Sequence, residues 1–237
     1  MRNTLYALRP AIAMIELIFA IVVMGIVMLS VPQLLNTASQ SGYVAIQQEA
    51  INEASTQVNI IMGHYWDENN ITSHDITVLN TTNGDVNLRA AAGTGPAFRR
   101  AGTPDKSHRQ FGKTQYAASP IGSEAGDRDD IDDFNGLNRT LHLEQTSMTS
   151  DYIEPTTVNL ASTVSYIADA LAADTYVDPG VDNNLIFNLN VGASGGTTNI
   201  KHIQVRLTSN SGASELNKTI ILHAFSCNIG SYELEER

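Results

Sequence analysis

Residues 12–31 read IAMIELIFAIVVMGIVMLSV, twenty consecutive positions interrupted by only two polar side chains, Glu16 and Ser30. Twenty helical residues rise ~30 Å, the thickness of a bilayer's hydrocarbon core. The segment before them, MRNTLYALRPA, carries Arg2 and Arg9 and no acid. That positive flank predicts a cytoplasmic N-terminus and an exported remainder. A cleaved secretory signal has a shorter apolar region that ends in small residues at the cut. Ser30-Val31-Pro32-Gln33 has no such pattern, so the span is expected to be kept.

Glu16 is the residue that needs a reason. A carboxylate inside a spanning helix costs roughly 2.5–3.5 kcal/mol near the centre, less toward an end, and usually marks function. The bland alternative is that Glu16, early in the run, reaches the interface and does nothing. The stretch Ala11-Ile12-Ala13-Met14-Ile15-Glu16-Leu17 resembles the class III signal of type IV pilins and type II secretion pseudopilins. The resemblance implies that a prepilin peptidase cuts between Ala11 and Ile12 and methylates the new N-terminus. Glu16 then stands fifth, with Gly25 and Pro32 near the family's usual glycine and helix-bending proline. Two departures are Ala11, where glycine is usual, and Pro32, one place early. The resemblance also implies the partners: other pilin or pseudopilin subunits, the peptidase, an inner-membrane assembly platform and the membrane. Physically, the amine freed at Ile12 of one subunit can neutralise Glu16 of the next, which relieves two buried charges at once. Glu16 is then an assembly register.

The helix is expected to continue past Pro32, which removes one backbone donor and should kink it. Val44, Ile51, Ala54, Val58, Ile61 and Tyr65 recur at helical spacing, with Gln47, Gln48, Glu49, Glu53 and Gln57 on the remaining surface. Gly63 and Asp67-Glu68-Asn69-Asn70 supply a stop. Residues 67–150 read as irregular, with strand hints at Ile76–Leu79 and Val86–Leu88. Alternation follows: Val158, Leu160, Val164 and Tyr166, then Leu185, Phe187, Leu189 and Val191, then Ile203, Val205 and Leu207. The run Thr219–Cys227 places Ile221, Phe225 and Cys227 on one side and Ile220, Leu222 and Ala224 on the other. Such runs, divided by turn residues, predict an antiparallel sheet with one buried face. The expected architecture is α+β and pilin-like: a leader over 1–11, an assembly helix over 12–32, an amphipathic helix over 33–66 and a sheet over 151–237.

Five acids, Asp127, Asp129, Asp130, Asp132 and Asp133, fall within seven positions, followed by Asn135. They repel one another unless solvated or neutralised by a hard cation such as calcium, and both readings stay open. The spacing fails the EF-hand template. The string Asp129-Asp130-Ile131-Asp132-Asp133-Phe134-Asn135-Gly136 resembles an acidic stretch in minor pilins of the mannose-sensitive haemagglutinin pilus group. That resemblance favours a minor over a major subunit.

A formal charge of −11 argues against nucleic acid as a partner. Arg99, Arg100, Lys106, Arg109 and Lys113 read as charge balance for the acids. Cys227 is the only cysteine, so no internal disulfide forms. Gly112-Lys113-Thr114 lacks the earlier glycine of a phosphate loop, the histidines lack zinc spacing, and there is no nucleophile elbow. The chain reads as a non-enzyme. Three functions follow: a minor pilin, a pseudopilin of a type II secretion system, or a membrane-anchored calcium-binding exported protein.

Overall fold

The computed structural model describes residues 8–70, 78–85, 88, 116–122, 127–143, 156–171, 191–209 and 216–229. Helix α1, Leu8–Met62, runs through 55 residues, with Pro32 inside it, and is about 80 Å long. The missing N–H at Pro32 leaves the carbonyl one turn earlier without its usual donor, yet the helix continues. Ser30, Thr37 and Ser39 return their hydroxyls to helix carbonyls, for example Thr37 Oγ1 to Gln33 O at 2.9 Å, so polar side chains cost the helix no unpaired group. Every side chain from Ala13 to Ser41 is exposed. The exposed half is the apolar half, long and apolar enough to cross a membrane.

The second half of α1 covers a four-stranded antiparallel sheet in chain order: β1 (Asn138–Leu143), β2 (Thr156–Ile167), β3 (Ile200–Ser209) and β4 (Thr219–Cys227). The layout is α+β, as the alternation predicts. Val158, Leu160, Val164 and Tyr166 of β2 and Ile203, Val205 and Leu207 of β3 are buried beneath the helix. Ile220, Leu222 and Ala224 of β4 pack against the same core, while Ile221 and Phe225 face outward. The Leu185–Leu189 run, half of the first strand hint and most of the second lie outside the described residues. Val78 and Leu79 belong to no strand, although Asn80 makes a single bridge to Ala117.

Two expectations need correction. The buried face of α1 is Ile46, Ala50, Ala54, Gln57 and Ile61, whereas Val44, Ile51 and Tyr65 are exposed. Ala54 and Ile61 of the expected stripe are buried and Val58 packs against the core, but taking Val44, Ile51 and Tyr65 in place of Ile46 and Ala50 turned the rest of the stripe away from the contact. A helix lying on a sheet approaches closely where its side chains are small, and Ala50 and Ala54 supply that closeness. Gln57 is tolerated there because Arg139 Nη1 of β1 donates to its Oε1 at 2.9 Å. The second correction is β1, which falls inside the region read as irregular. Its pattern is exposed except at Leu141 and Leu143, so an edge strand with two inward residues gave almost no alternation to read.

The revised helix face yields a direct check. Ile46→Ala should destabilise the full-length chain in detergent by about 2–4 kcal/mol, the range for truncating a buried aliphatic side chain. Val44→Ala should stay within about 0.5 kcal/mol. Denaturant titration of both variants measures the contrast, and equal losses would restore the face read from sequence.

Candidate functional site

Two places carry chemistry. The first is the apolar half of α1, where Glu16 is exposed and shares a helix face with Phe19, Ala20, Val23 and Val27 by the three-and-four spacing. Ala11 and Ile12 lie within α1. Among the described residues no element folds back over this stretch, so the carboxylate stands on an apolar surface with no described side chain covering it.

The second place lies where α1 ends, and its centre is Lys201 of β3. In the alternation of β3, Lys201 is in phase with Ile203, Val205 and Leu207, so it points into the core rather than to solvent. It is 0% exposed, as is Asp67 just beyond the helix. Its ammonium contacts Asp132 Oδ1, lies 3.5 Å from Asp67 Oδ2, and donates to the carbonyl of Trp66 at 2.5 Å. Trp66 and Tyr166 present their rings to the same ammonium at 4.5 and 5.3 Å from the ring centroids, which adds cation–π attraction in a water-poor setting. Asp67 is held independently: Oδ2 accepts from Ser119 N and Oγ at 2.9 and 3.0 Å, while the Tyr166 hydroxyl, 3.4 Å from Oδ2, donates to the Ser119 carbonyl at 2.7 Å. Burial, reinforced by the Asp67 carboxylate, pushes the Tyr166 hydroxyl well above its ordinary value, so it remains a donor.

The acidic run is built around this lysine. Ile131 and Phe134 are buried as hydrophobic plugs, and Ile131 N donates to the carbonyl of Tyr65 at 3.0 Å. Asp130 Oδ1 accepts from the amides of Asp132 and Asp133 at 2.8 and 3.2 Å, fixing the 3-10 turn Asp132–Phe134. Asn135 Oδ1 accepts from Val164 N at 3.1 Å, stitching the loop to β2. Gly136 follows with φ of 77°, a left-handed conformation that favours glycine, and its amide reaches Ser162 O at 2.9 Å.

The six residues read as calcium ligands therefore divide. Asp132 meets Lys201, while Asp130 and Asn135 are engaged by backbone amides. Asp127, Asp129 and Asp133 do come together, with carboxylate oxygens within 4.8 Å of one another. One oxygen of Asp129 is buried without a hydrogen-bond partner, while Asp133 Oδ2 already accepts from Asp129 N at 3.1 Å. Calcium takes six to eight oxygens, from carboxylates bound singly or through both oxygens and from carbonyls and water, so these three would form part of such a shell. The basic segment 99–113 lies outside the described residues.

Sequence reasoning missed Lys201, although a lysine in register with three buried aliphatics was the available signal. It also missed the pair His202 and His223, whose Nε2 and Nδ1 lie 2.8 Å apart on adjacent strands, with His202 stacked on Phe225. Burial, then His223, pushes His202 below its ordinary value. Among the described residues no third histidine, cysteine or acid joins them into a metal site. No protein-family model, no characterised protein and no solved structure matches the chain.

Asp130 gives the cluster a pH signature. Burial, with the neighbouring Asp132 charge, raises its carboxyl from 3.8 to about 8. The folded state thus holds this proton more tightly than the unfolded state. Its contribution to stability is complete below about pH 4, declines as pH rises, and is gone above about pH 8. Asp130→Asn, whose Oδ1 can accept the same two amides, should gain stability relative to the unaltered chain from pH 5 to 8.5. Melting curves across that range test this, and a pH-independent difference would refute it.

Proposed function

We propose that this chain is a structural subunit, a minor pilin, of a type IV pilus-like filament. It would be processed by a prepilin peptidase between Ala11 and Ile12 and polymerised from the inner membrane. The observation that carries the reading is the division of α1: one continuous helix, bare and apolar from Ala13 to Ser41, packed on its own sheet only beyond Tyr43. An isolated spanning anchor has no use for rigid continuity into the head. A filament subunit does, because the bare half must leave lipid and pack against copies of itself with the head held at a fixed distance. Glu16, the one acid on the bare half, supplies the register by pairing with the Ile12 amine of a neighbour. The acidic run fits the minor-pilin resemblance and acts within the head as the cover of Lys201.

Two measurements test this reading. Mass spectrometry of the membrane-extracted protein should find a mature chain beginning at Ile12 with a methylated amine, and an intact Met1 terminus in assembled material would sink the proposal. Glu16→Val should insert normally, since the span becomes more apolar, yet disappear from sheared surface filaments. Wild-type incorporation would show the carboxylate to be dispensable. Recovery of the unaltered chain only from the periplasm would reassign it to a secretion pseudopilus.

A further inference from the structure

We propose that Lys201 and Asp132 become joined by an isopeptide bond, an amide between the lysine Nζ and the side-chain carboxyl carbon of Asp132. The inference rests on the buried contact itself and holds whether or not the chain assembles into filaments. Nζ touches Asp132 Oδ1, the lysine is fully buried, and Asp132 is 4% exposed. An amine and a carboxyl held in one orientation in a fold behave as though at very high mutual concentration, with effective molarities up to ~10⁵–10⁸ M. Bulk water, which drives amides back toward acid and amine, has little access here.

The step balances without any outside reagent. The ammonium passes one proton to the carboxylate, which leaves a neutral amine beside a neutral acid. The amine lone pair attacks Cγ, the second nitrogen proton is transferred, and one C–O bond breaks. The departing oxygen leaves as water with both protons. Overall, ammonium and carboxylate become amide and water, and no charge is created or lost.

Proton movement needs a carrier next to Asp132, and Asp130 stands there. Its Oδ1 accepts from the Asp132 amide at 2.8 Å, which sets the two carboxyls side by side, and burial raises its carboxyl to about 8. The product also fits the site. The remaining amide N–H can donate to the carbonyl of Trp66, already 2.5 Å from Nζ. Asp67, which loses a cation, retains Ser119 N and Oγ on Oδ2 and the Asn69 amide on Oδ1 as donors. No buried group is orphaned by the reaction.

The bond would tie the acidic loop covalently to the central strand β3. The test is the full-length chain, extracted in detergent, analysed by intact mass and by trypsin mapping. The expected mass is lower by one water than that of the sequence with the same N-terminus. Trypsin should fail to cut after Lys201, and the peptide Asp129–Arg139 should appear only as a branch on the Lys201 peptide. Lys201→Arg and Asp132→Ala should each restore the full mass. Asp130→Ala should slow coupling on the order of a hundredfold, the usual contribution of a positioned proton carrier. Coupling at the unaltered rate in that variant would remove Asp130 from the step. A full mass with a linear Asp129–Arg139 peptide and normal cleavage after Lys201 would overturn the proposal. So would water loss without a branched peptide, which is what internal cyclisation of an aspartate gives.

Discussion

The head is organised around one buried cation. Burying an ammonium is costly unless it is paired and hydrogen-bonded, and Lys201 on the inner face of β3 imposes that requirement on everything near it. Trp66 and Asp67 come from the chain just after α1, Asp132 from the acidic loop, and Tyr166 from β2. Helix, loop and sheet each supply a group that the lysine needs. Breaking such an arrangement by removing one partner leaves an uncompensated buried charge, typically at a cost of 3–5 kcal/mol. The lysine therefore fixes how these elements meet, whereas the apolar core fixes only that they meet. Trp66 adds a second tie, donating its indole N–H to the carbonyl of Ser226 in β4 at 3.2 Å.

This arrangement gives the acidic run a physical meaning. Ile131 and Phe134 anchor it, Asp132 reaches inward, Asp130 shapes the turn, and Asn135 with Gly136 hands the chain to the sheet. Only Asp127, Asp129 and Asp133 keep the partly solvated character that a charge run suggests. The repulsion expected among five clustered acids is avoided because one faces a cation and another, pushed up to about 8, keeps its proton at neutral pH. At the other end of the molecule the logic is reversed. The bare half of α1 carries a carboxylate that no described residue pairs, which is the feature the proposed assembly contact would use.

The large features were legible because they rest on long, regular signals. A twenty-residue apolar run and period-two alternation over β2, β3 and β4 leave little freedom of interpretation. The helix face was legible only in part: Ala54, Val58 and Ile61 stood in the stripe, but the contact with the sheet also depends on Ile46 and on Ala50, which a count of large apolar residues passes over. Strand β1 was hidden because an edge strand with only Leu141 and Leu143 turned inward looks like loop. The interior of the acidic run was hidden for a different reason. Five aspartates in seven positions read as solvent-facing until a cation some seventy residues later is found to be buried against them. That cation could be placed by strand phase, but its partners could be found only in three dimensions.

The claim that Lys201 joins the loop to the sheet is tested most directly by hydrogen exchange on a Lys201→Met chain. Met matches the length of the stem without the charge. The loss expected is local: the amides of Asp132, Asp133 and Asn135, whose acceptors lie within the loop, should exchange faster, while the ladder between β2 and β3 stays protected. Unchanged protection across residues 130–136 would contradict the claim, because the loop would then be held by Ile131 and Phe134 alone.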